Sequence, residues 1–547
     1  MMRYSIRRPR RGPALLAAAV ALTTVAACSN GTSAGPPAGT GSTGSTGASS
    51  PAVSGPPASP PAPVPSPTPT KTYPLSKAPQ VVPAVLAHRA ARGPGWKPGR
   101  DTAVVVAAKD ASALADEARL IAAELRVPYR GTAAARPGDV SLALGGTGAA
   151  ESYTLSVRGG GVRITGPDQA GVFYGTRTLK QSVRSTGAIP EGVVTDAPAK
   201  PQRGLMVDIA RKHYTADWIE ARLREMADLK LNQLGLHFSD DQGFRIASDS
   251  HPEVVSQQHL GKAEVRRILD LAASLHITVV PEIDSPGHLG AVIAAHPELQ
   301  LVSATGRTPR GAVDISKPAS AKIVDELLRE YAALFPGAYW NLGGDEYVAL
   351  MAKNPEATYP QLARAAAAKY GASGRVQDLA TGWLNDRAAV IRPTGKAMRV
   401  WNDGFFAGGV TSADKDLQVG YWTGKEIGAR TPVSYLSAGR KVINYNDKYL
   451  YYVLGQPNQF VYPTGRLIYE QWTPLVLRGS TPVPARYDSQ ILGGSFAIWG
   501  DLPNAQTQAQ VAAGIRMPLA ATAQKLWDAR KPALTWAAFQ ALAGRVR

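Results

Sequence analysis

Cysteine is what this 547-residue sequence has least of: one, Cys28, against 54 glycines and 43 prolines. A single thiol makes no intrachain disulfide, so a fold exported from the reducing cytosol would stand on its core alone. Acidic residues are also short, 42 against 60 Lys and Arg, for a formal net charge of +18. Such an excess suits anionic polymers or lipid headgroups. The basic residues form no dense run in the body of the chain and no nucleic-acid module is recognisable, which argues against a nucleic-acid partner. Metal-ligand spacing is missing as well: His237, Asp240 and Asp241 stand close together, but no second cluster completes a site, so neither a metal nor a cofactor is expected. No bilayer-spanning apolar run occurs, since the run Ala14–Ala27 is too short.

That run has another use. Arg3, Arg7, Arg8, Arg10 and Arg11 precede it, the pattern of a secretion signal, and a twin-arginine route through Arg7-Arg8 fits the following residues poorly. It ends Val25-Ala26-Ala27-Cys28, which resembles a bacterial lipoprotein box with Cys28 as the lipid-carrying residue. The alternative is an ordinary signal peptide with a chance cysteine. Residues 29–74 are almost entirely Gly, Ser, Thr, Ala and Pro, a composition that buries no core and reads as a tether. The expectation is an exported protein, lipid-anchored at the outer face of the cell membrane or secreted.

The length is too great for one ordinary core, and two folded domains are expected. In residues 75–198, Thr102–Ala108 and the pair Tyr153–Val157 and Val162–Thr165 around Arg158–Gly161 read as strands, with helices over Ala111–Leu125 and Ala170–Leu179. This small α+β domain carries no catalytic constellation. From residue 199 to 547 short apolar runs alternate with helical stretches, which implies βα units and a parallel sheet. Candidate strands are Gly204–Asp208, Asn232–Phe238, Thr278–Ile283, Ala338–Leu342, Ala397–Trp401, Asp416–Trp422, Lys441–Tyr445 and Ser495–Trp499. Eight is the count of a TIM barrel. The segment from Asn446 to Gly494 is too long for a simple connection and is expected to wall the site.

The fourth of these strands ends on Gly343-Gly344 and then presents Asp345 and Glu346. An isolated Asp-Glu pair is usually a solvated turn or a helix cap, but a barrel puts reactive groups where its strands open into loops. Trp401, Trp422, Tyr445, Asp447 and Trp499 stand in or beside the ends of other candidate strands. Three tryptophans there suit a sugar, because a pyranose face stacks on indole and an acetamido methyl needs an apolar box.

Taken with Arg203-Gly-Leu-Met-Val-Asp208-Ile-Ala-Arg211, His237-Phe-Ser-Asp240-Asp241-Gln-Gly-Phe-Arg245 and Pro281-Glu-Ile-Asp284-Ser-Pro-Gly-His288, the acid pair resembles the signature of the family 20 glycoside hydrolases, the β-N-acetylhexosaminidases. The resemblance spans roughly Glu151 to Trp527. It implies a TIM barrel behind a small α+β domain, and retaining hydrolysis of β-linked N-acetylhexosaminides in which the substrate's own acetamide is the nucleophile, a known exception to the two-carboxylate scheme. On this basis Glu346 is the acid/base and needs a raised pKa. Asp345 holds the acetamide N–H, Tyr445 donates to its carbonyl, and Asp240 and His288 orient Glu346. Arg203, Asp447 and Asp501 take sugar hydroxyls, while Asp208, Asp241 and Arg245 knit strand ends together. Two positions depart from the family: Asn341, where His is frequent, and Asp501, where Glu is frequent. Ile443–Val453 and Phe496–Gly500 look more like the dispersin and lacto-N-biosidase branches, so release of a disaccharide or cleavage of poly-N-acetylglucosamine are alternative activities. A surface lectin without turnover and an importer's binding lipoprotein are the competing classes; the acid pair argues against the first and the barrel-like spacing against the second.

Overall fold

Alternating side chains build the first sheet. Along Tyr153–Arg158, Tyr153, Leu155 and Val157 are buried while Thr154 and Ser156 are half-buried, the period of a strand covered on one face. The chain turns through Gly159 and Gly160, at φ 60° and 76°, as a two-residue hairpin requires, and pairs antiparallel with Gly161–Gly166. Six strands form this sheet, in the spatial order Ala87–Ala90, Gly192–Asp196, Tyr153–Arg158, Gly161–Gly166, Val140–Leu144 and Val104–Val106. Helices Ala111–Leu125 and Gln169–Thr186 pack on each other and on the sheet. The second starts where the Asp168 carboxylate accepts the Gly171 N–H at 2.7 Å and stops at Gly187 in the left-handed region, both ordinary helix punctuation. The computed structural model describes residues 71–426, 429–456 and 460–546; Cys28 and the tether up to Thr70 lie outside them.

Beyond Pro201 eight parallel strands close on themselves: Gln202–Asp208, Gln233–Asp240, Thr278–Ile283, Tyr339–Asn341, Ala397–Trp401, Gln418–Tyr421, Val442–Asn444 and Ile491–Trp499. Closure is made by the last strand against the first, from Gly493 opposite Gln202 to Ile498 opposite Val207. This is the TIM barrel expected from the alternation. Helices such as Ala216–Asp228 and Lys262–Ser274 present Ile219, Leu223 and Met226, and Val265, Ile268 and Ala272, as their buried stripes.

The barrel interior is layered, and its layers are polar. Near the N-terminal ends of the strands, Arg399 donates to Gln202 at 3.2 Å, to Gln233 at 2.8 Å and to the Tyr445 hydroxyl at 3.2 Å. Above it, Glu282 accepts from Asn341 Nδ2 at 2.8 Å and Trp401 Nε1 at 2.9 Å and pairs with His237 Nδ1 at 3.0 Å. The two domains meet through buried charge. Lys230 Nζ and the Tyr153 hydroxyl both reach Asp196 Oδ2, at 3.1 and 2.6 Å, and Trp527 Nε1 donates to its other oxygen at 3.0 Å.

Candidate active site

The fourth barrel strand ends in a turn that other strands hold open. Gly343 and Gly344 lie at φ 67° and 91°, and Glu346 at 49°. Glycine tolerates that region, whereas a glutamate there is unusual and is kept only where its surroundings insist. The surroundings are side chains from its own and neighbouring strand ends: Gly343 N–H donates to Asn341 Oδ1 at 3.1 Å, Gly344 N–H to Asp284 Oδ1 at 2.7 Å, and Glu346 N–H to Asp403 Oδ2 at 3.0 Å. Asp345 is thereby buried, and Glu346 is left with 38% of its side chain exposed towards a cavity.

His288, itself at φ 54°, sits between the acid pair and a chain of charge. Its Nε2 is 3.4 Å from Glu346 Oε2 and 3.9 Å from Asp345 Oδ2, and its Nδ1 is 3.4 Å from Asp240 Oδ1. Asp240 also accepts from His237 Nε2 at 2.7 Å and Arg211 at 2.8 Å. Burial alone would strip His288 of its proton, but Asp240 and Asp345 outweigh it and hold the ring protonated. His237 is likewise raised to about 10, burial losing to Glu282 and Asp240.

These charges divide the two carboxyls in an unexpected direction. Burial pushes Asp345 up, and His288 only partly offsets it. Burial pushes Glu346 up as well, but the imidazolium against it prevails and holds its carboxyl below the ordinary glutamate value. The raised pKa expected for Glu346 is therefore not what this site provides; the reason is the charged His288. Beside Asp345, Asp284 is driven well above its ordinary value by burial and by the Asp345 charge. Asp403, buried near the same charges, is raised too.

The acid pair opens on a cavity of about 480 Å³ whose apolar lining includes Trp422, Tyr451, Val453, Phe460 and Trp499. Trp422 and Tyr451 lie parallel, centroids 5.7 Å apart and planes 6° from coplanar. Trp422 is fixed by its Nε1–H to Asp403 at 2.9 Å. Tyr451 belongs to Tyr451–Val453, a short extra strand inside the Asn446–Gly494 segment that pairs with the last barrel strand. Asp447 also lines the cavity and carries Lys425 Nζ at 2.6 Å. Asp501 stands at the mouth with Arg211, its carboxyl raised by burial against the opposing pull of Arg211.

Three expected ligands are elsewhere. Arg203 is fully buried at the opposite end of the barrel, donating to Glu151 at 2.8 Å, to the Lys200 and Lys230 carbonyls at 2.9 and 2.8 Å, and to the Tyr174 hydroxyl at 3.1 Å. It is the second residue of the first strand, whereas the cavity lies where strands end. Arg211 takes the cavity position instead, pinned to Asp208 at 3.0 Å and stacked on Trp499 at 5.2 Å. Tyr445 turns its hydroxyl down the barrel to Arg399, and Tyr451 is the tyrosine that lines the cavity. Trp401, 1% exposed, lies under the lining aromatics, 6.1 Å from Trp499 and 4.7 Å from Tyr445. Asp284, Glu282 and Asp403 were not anticipated. Period-two alternation from Glu282 to Asp284 was the available signal for two of them.

Residues 201–530 match the catalytic domain of glycosyl hydrolase family 20, and residues 78–197 match domain 2 of that family. The chain belongs to glycosyl hydrolase family 20. A lacto-N-biosidase of Bifidobacterium bifidum is 29% identical over 451 residues, 81% of this chain and 39% of that protein. A β-N-acetylhexosaminidase of Cellulomonas fimi is 32% identical over 221 residues, 37% of this chain and 45% of its own length. The family 20 chain thus aligns with less than half the length of either relative. The solved β-hexosaminidase of Streptomyces plicatus, in complex with the product GlcNAc, shares the fold with a TM-score of 0.68 at 22% identity, over 86% of this chain and 94% of that one.

Proposed function

We propose that this chain is a retaining β-N-acetylhexosaminidase that uses its substrate's acetamide as nucleophile. The observation that carries the reading is the acid pair on a strained turn, bridged by His288, against a box of Trp422, Tyr451 and Trp499. In the first step the acetamido carbonyl oxygen attacks the anomeric carbon while Glu346 protonates the departing glycosidic oxygen. In the second, Glu346 takes a proton from water, which opens the oxazolinium ring from the face the leaving group occupied. Asp345 accepts the acetamide N–H and balances the charge that develops there. Tyr451, not Tyr445, donates to the carbonyl. Arg211, Asp447 and Asp501 take hydroxyls, and the Arg211 fork suits two adjacent oxygens. A sugar over the half-exposed Glu346 removes its water and moves its pKa back towards the value that an acid needs.

A second reading is favoured by one observation. The match to a lacto-N-biosidase extends over 81% of this chain, and the Tyr451–Val453 strand and Phe460 enlarge the cavity wall, which supports release of a disaccharide. Nitrophenyl β-glycosides of GlcNAc, GalNAc and a galactosyl-GlcNAc disaccharide separate the readings by their kcat/KM. A β-product first seen by NMR and a lower rate for the N-trifluoroacetyl substrate, whose carbonyl is a poorer nucleophile, are expected. Equal rates for the two acyl groups remove acetamide participation. The N-terminal reading, lipidation at Cys28 with an outward tether, is tested by membrane fractionation of Cys28→Ala, which should become soluble.

A further inference from the structure

Away from the cavity, two histidines converge on one carboxylate oxygen. His251 Nδ1 and His296 Nε2 each lie 2.9 Å from Glu253 Oε1, and one ligand atom from each of the three residues lies within 4.8 Å of the others. Their far nitrogens are also held by carboxylates: His251 Nε2 is 3.1 Å from Glu326 Oε2, and His296 Nδ1 is 3.4 Å from Glu298 Oε1. Glu326 is steadied in turn by Lys322 at 2.7 Å. A carboxylate on the far nitrogen fixes an imidazole's tautomer, aims its ring and makes the near nitrogen more basic, which is how metal-ligating histidines are usually supported.

A surface ion pair needs only one such contact per histidine, whereas here two rings share a single oxygen and each has a second carboxylate on its far nitrogen. One divalent cation among the three groups would use the converging atoms, and three nearby carboxylates, Glu253, Glu298 and Glu326, balance its charge. The rings are accessible but ordered, with 14% and 27% of their side chains exposed. Two imidazoles and a carboxylate suit zinc and its transition-metal neighbours, not the all-oxygen shells of calcium or magnesium.

We propose that His251 Nδ1, His296 Nε2 and the Glu253 carboxylate bind a Zn²⁺ ion, with water completing its coordination. The three ligands come from two loops. His251 and Glu253 follow the second barrel strand, which delivers Asp240, and His296 follows the helix Gly290–Ala295, which starts two residues after His288. The ion would brace the two connections that carry the charge relay to Glu346, and it is independent of the sugar that the cavity takes.

The test uses untagged full-length protein titrated with Zn²⁺ by calorimetry, with thermal unfolding and zinc K-edge absorption alongside. The expected result is a site of micromolar or tighter affinity, a rise in Tm of a few degrees at saturating metal, and two imidazole nitrogens at about 2.0 Å. His251→Gln/His296→Gln should lose that site, and Glu253→Gln, a mild change at an exposed position, should weaken it at least tenfold. Calcium and magnesium should leave Tm unmoved. Zinc affinity unchanged in the double variant, loss of binding in His288→Asn with retention in the double variant, or no binding at about 100 µM Zn²⁺, would each overturn the proposal.

Discussion

Arg203 and Arg211 belong to one motif, and they mark the two ends of the barrel. Both pair with carboxylates and both stack on aromatic rings, Arg203 on Tyr174 and Trp527 and Arg211 on Trp499. The difference is what remains unspent. Arg203 gives its donors to Glu151, Tyr174 and backbone carbonyls, behind a strand whose far end, Asp208, is roughly 16 Å away. Arg211 anchors itself on Asp208 and Asp240 and still borders the cavity with 13% of its side chain exposed. A charged group satisfied on every side serves the fold; the same group satisfied on one side and open on the other can serve a substrate.

The largest effect that sharpens this contrast belongs to the cavity end. Glu346→Gln should slow an unactivated glycoside by about two to four orders of magnitude, with a smaller loss on a nitrophenyl glycoside and little change in Tm. Equal losses on both substrates would take Glu346 out of proton transfer. Next come the two tyrosines. Tyr451→Phe should lower kcat by about a hundredfold, as when one preorganised donor is removed from a transition state, while Tyr445→Phe should change kcat/KM by less than about threefold. The reverse ranking, read by steady-state kinetics, would return the catalytic hydroxyl to Tyr445.

The arginines themselves should part company by observable. Arg203→Met takes the charge partner from the half-buried Glu151, which keeps only Asn232 and Tyr174, and should cost about 3 kcal/mol of stability, measured by denaturant unfolding, with kcat/KM of the folded fraction nearly unchanged. Arg211→Lys keeps the charge but loses the planar fork, and should lower kcat/KM by about tenfold with a modest fall in Tm. A kinetic defect in Arg203→Met at full folding would break the comparison. The smallest effect is a displacement along the pH axis. His288 holds Glu346 below its ordinary value, so His288→Asn should let that carboxyl rise. Because the acid must be protonated for the first step, the basic limb of the kcat/KM profile should move to higher pH in the variant. A basic limb that stays put or moves to lower pH would show that His288 does not set this proton.

The architecture was legible because barrel strands advertise themselves as short apolar runs separated by helical stripes, and all eight were found to within a few residues. The outer strands of the small domain were harder. Ala87–Ala90 is an exposed edge of the sequence Ala-His-Arg-Ala with no alternation to read, and its pairing with Gly192–Asp196 is made across about a hundred residues. The acid pair, His288 and Asp240 were legible as motif. Arg203 and Tyr445 were misplaced for two different reasons. Arg203 is the second residue of its strand, and the rule that barrel chemistry sits at strand ends already pointed to Arg211. For the tyrosine no such rule was available: Tyr445, Tyr449, Tyr451 and Tyr452 crowd one segment, and only the pairing of Tyr451–Val453 with the last strand selects the one that reaches the cavity. The lowered pKa of Glu346 was beyond sequence altogether, because it depends on His288 being charged by Asp240 and Asp345 together.

The turn that carries Asp345 and Glu346 also limits how this protein can be re-engineered. A Cβ at Gly343 would overlap the Asp284 carboxyl, the same group that accepts the Gly344 N–H and whose own proton affinity is raised by the Asp345 charge. Randomising that corner would disturb backbone, protonation and catalysis at one stroke, so nearly every library member there should be dead. The cavity wall at Val453 and Phe460 is not tied to that corner. A search for new glycan specificity is best confined to Val453 and Phe460, leaving Asp447 and Tyr451 in place, so that side chains vary while the chemistry is inherited intact.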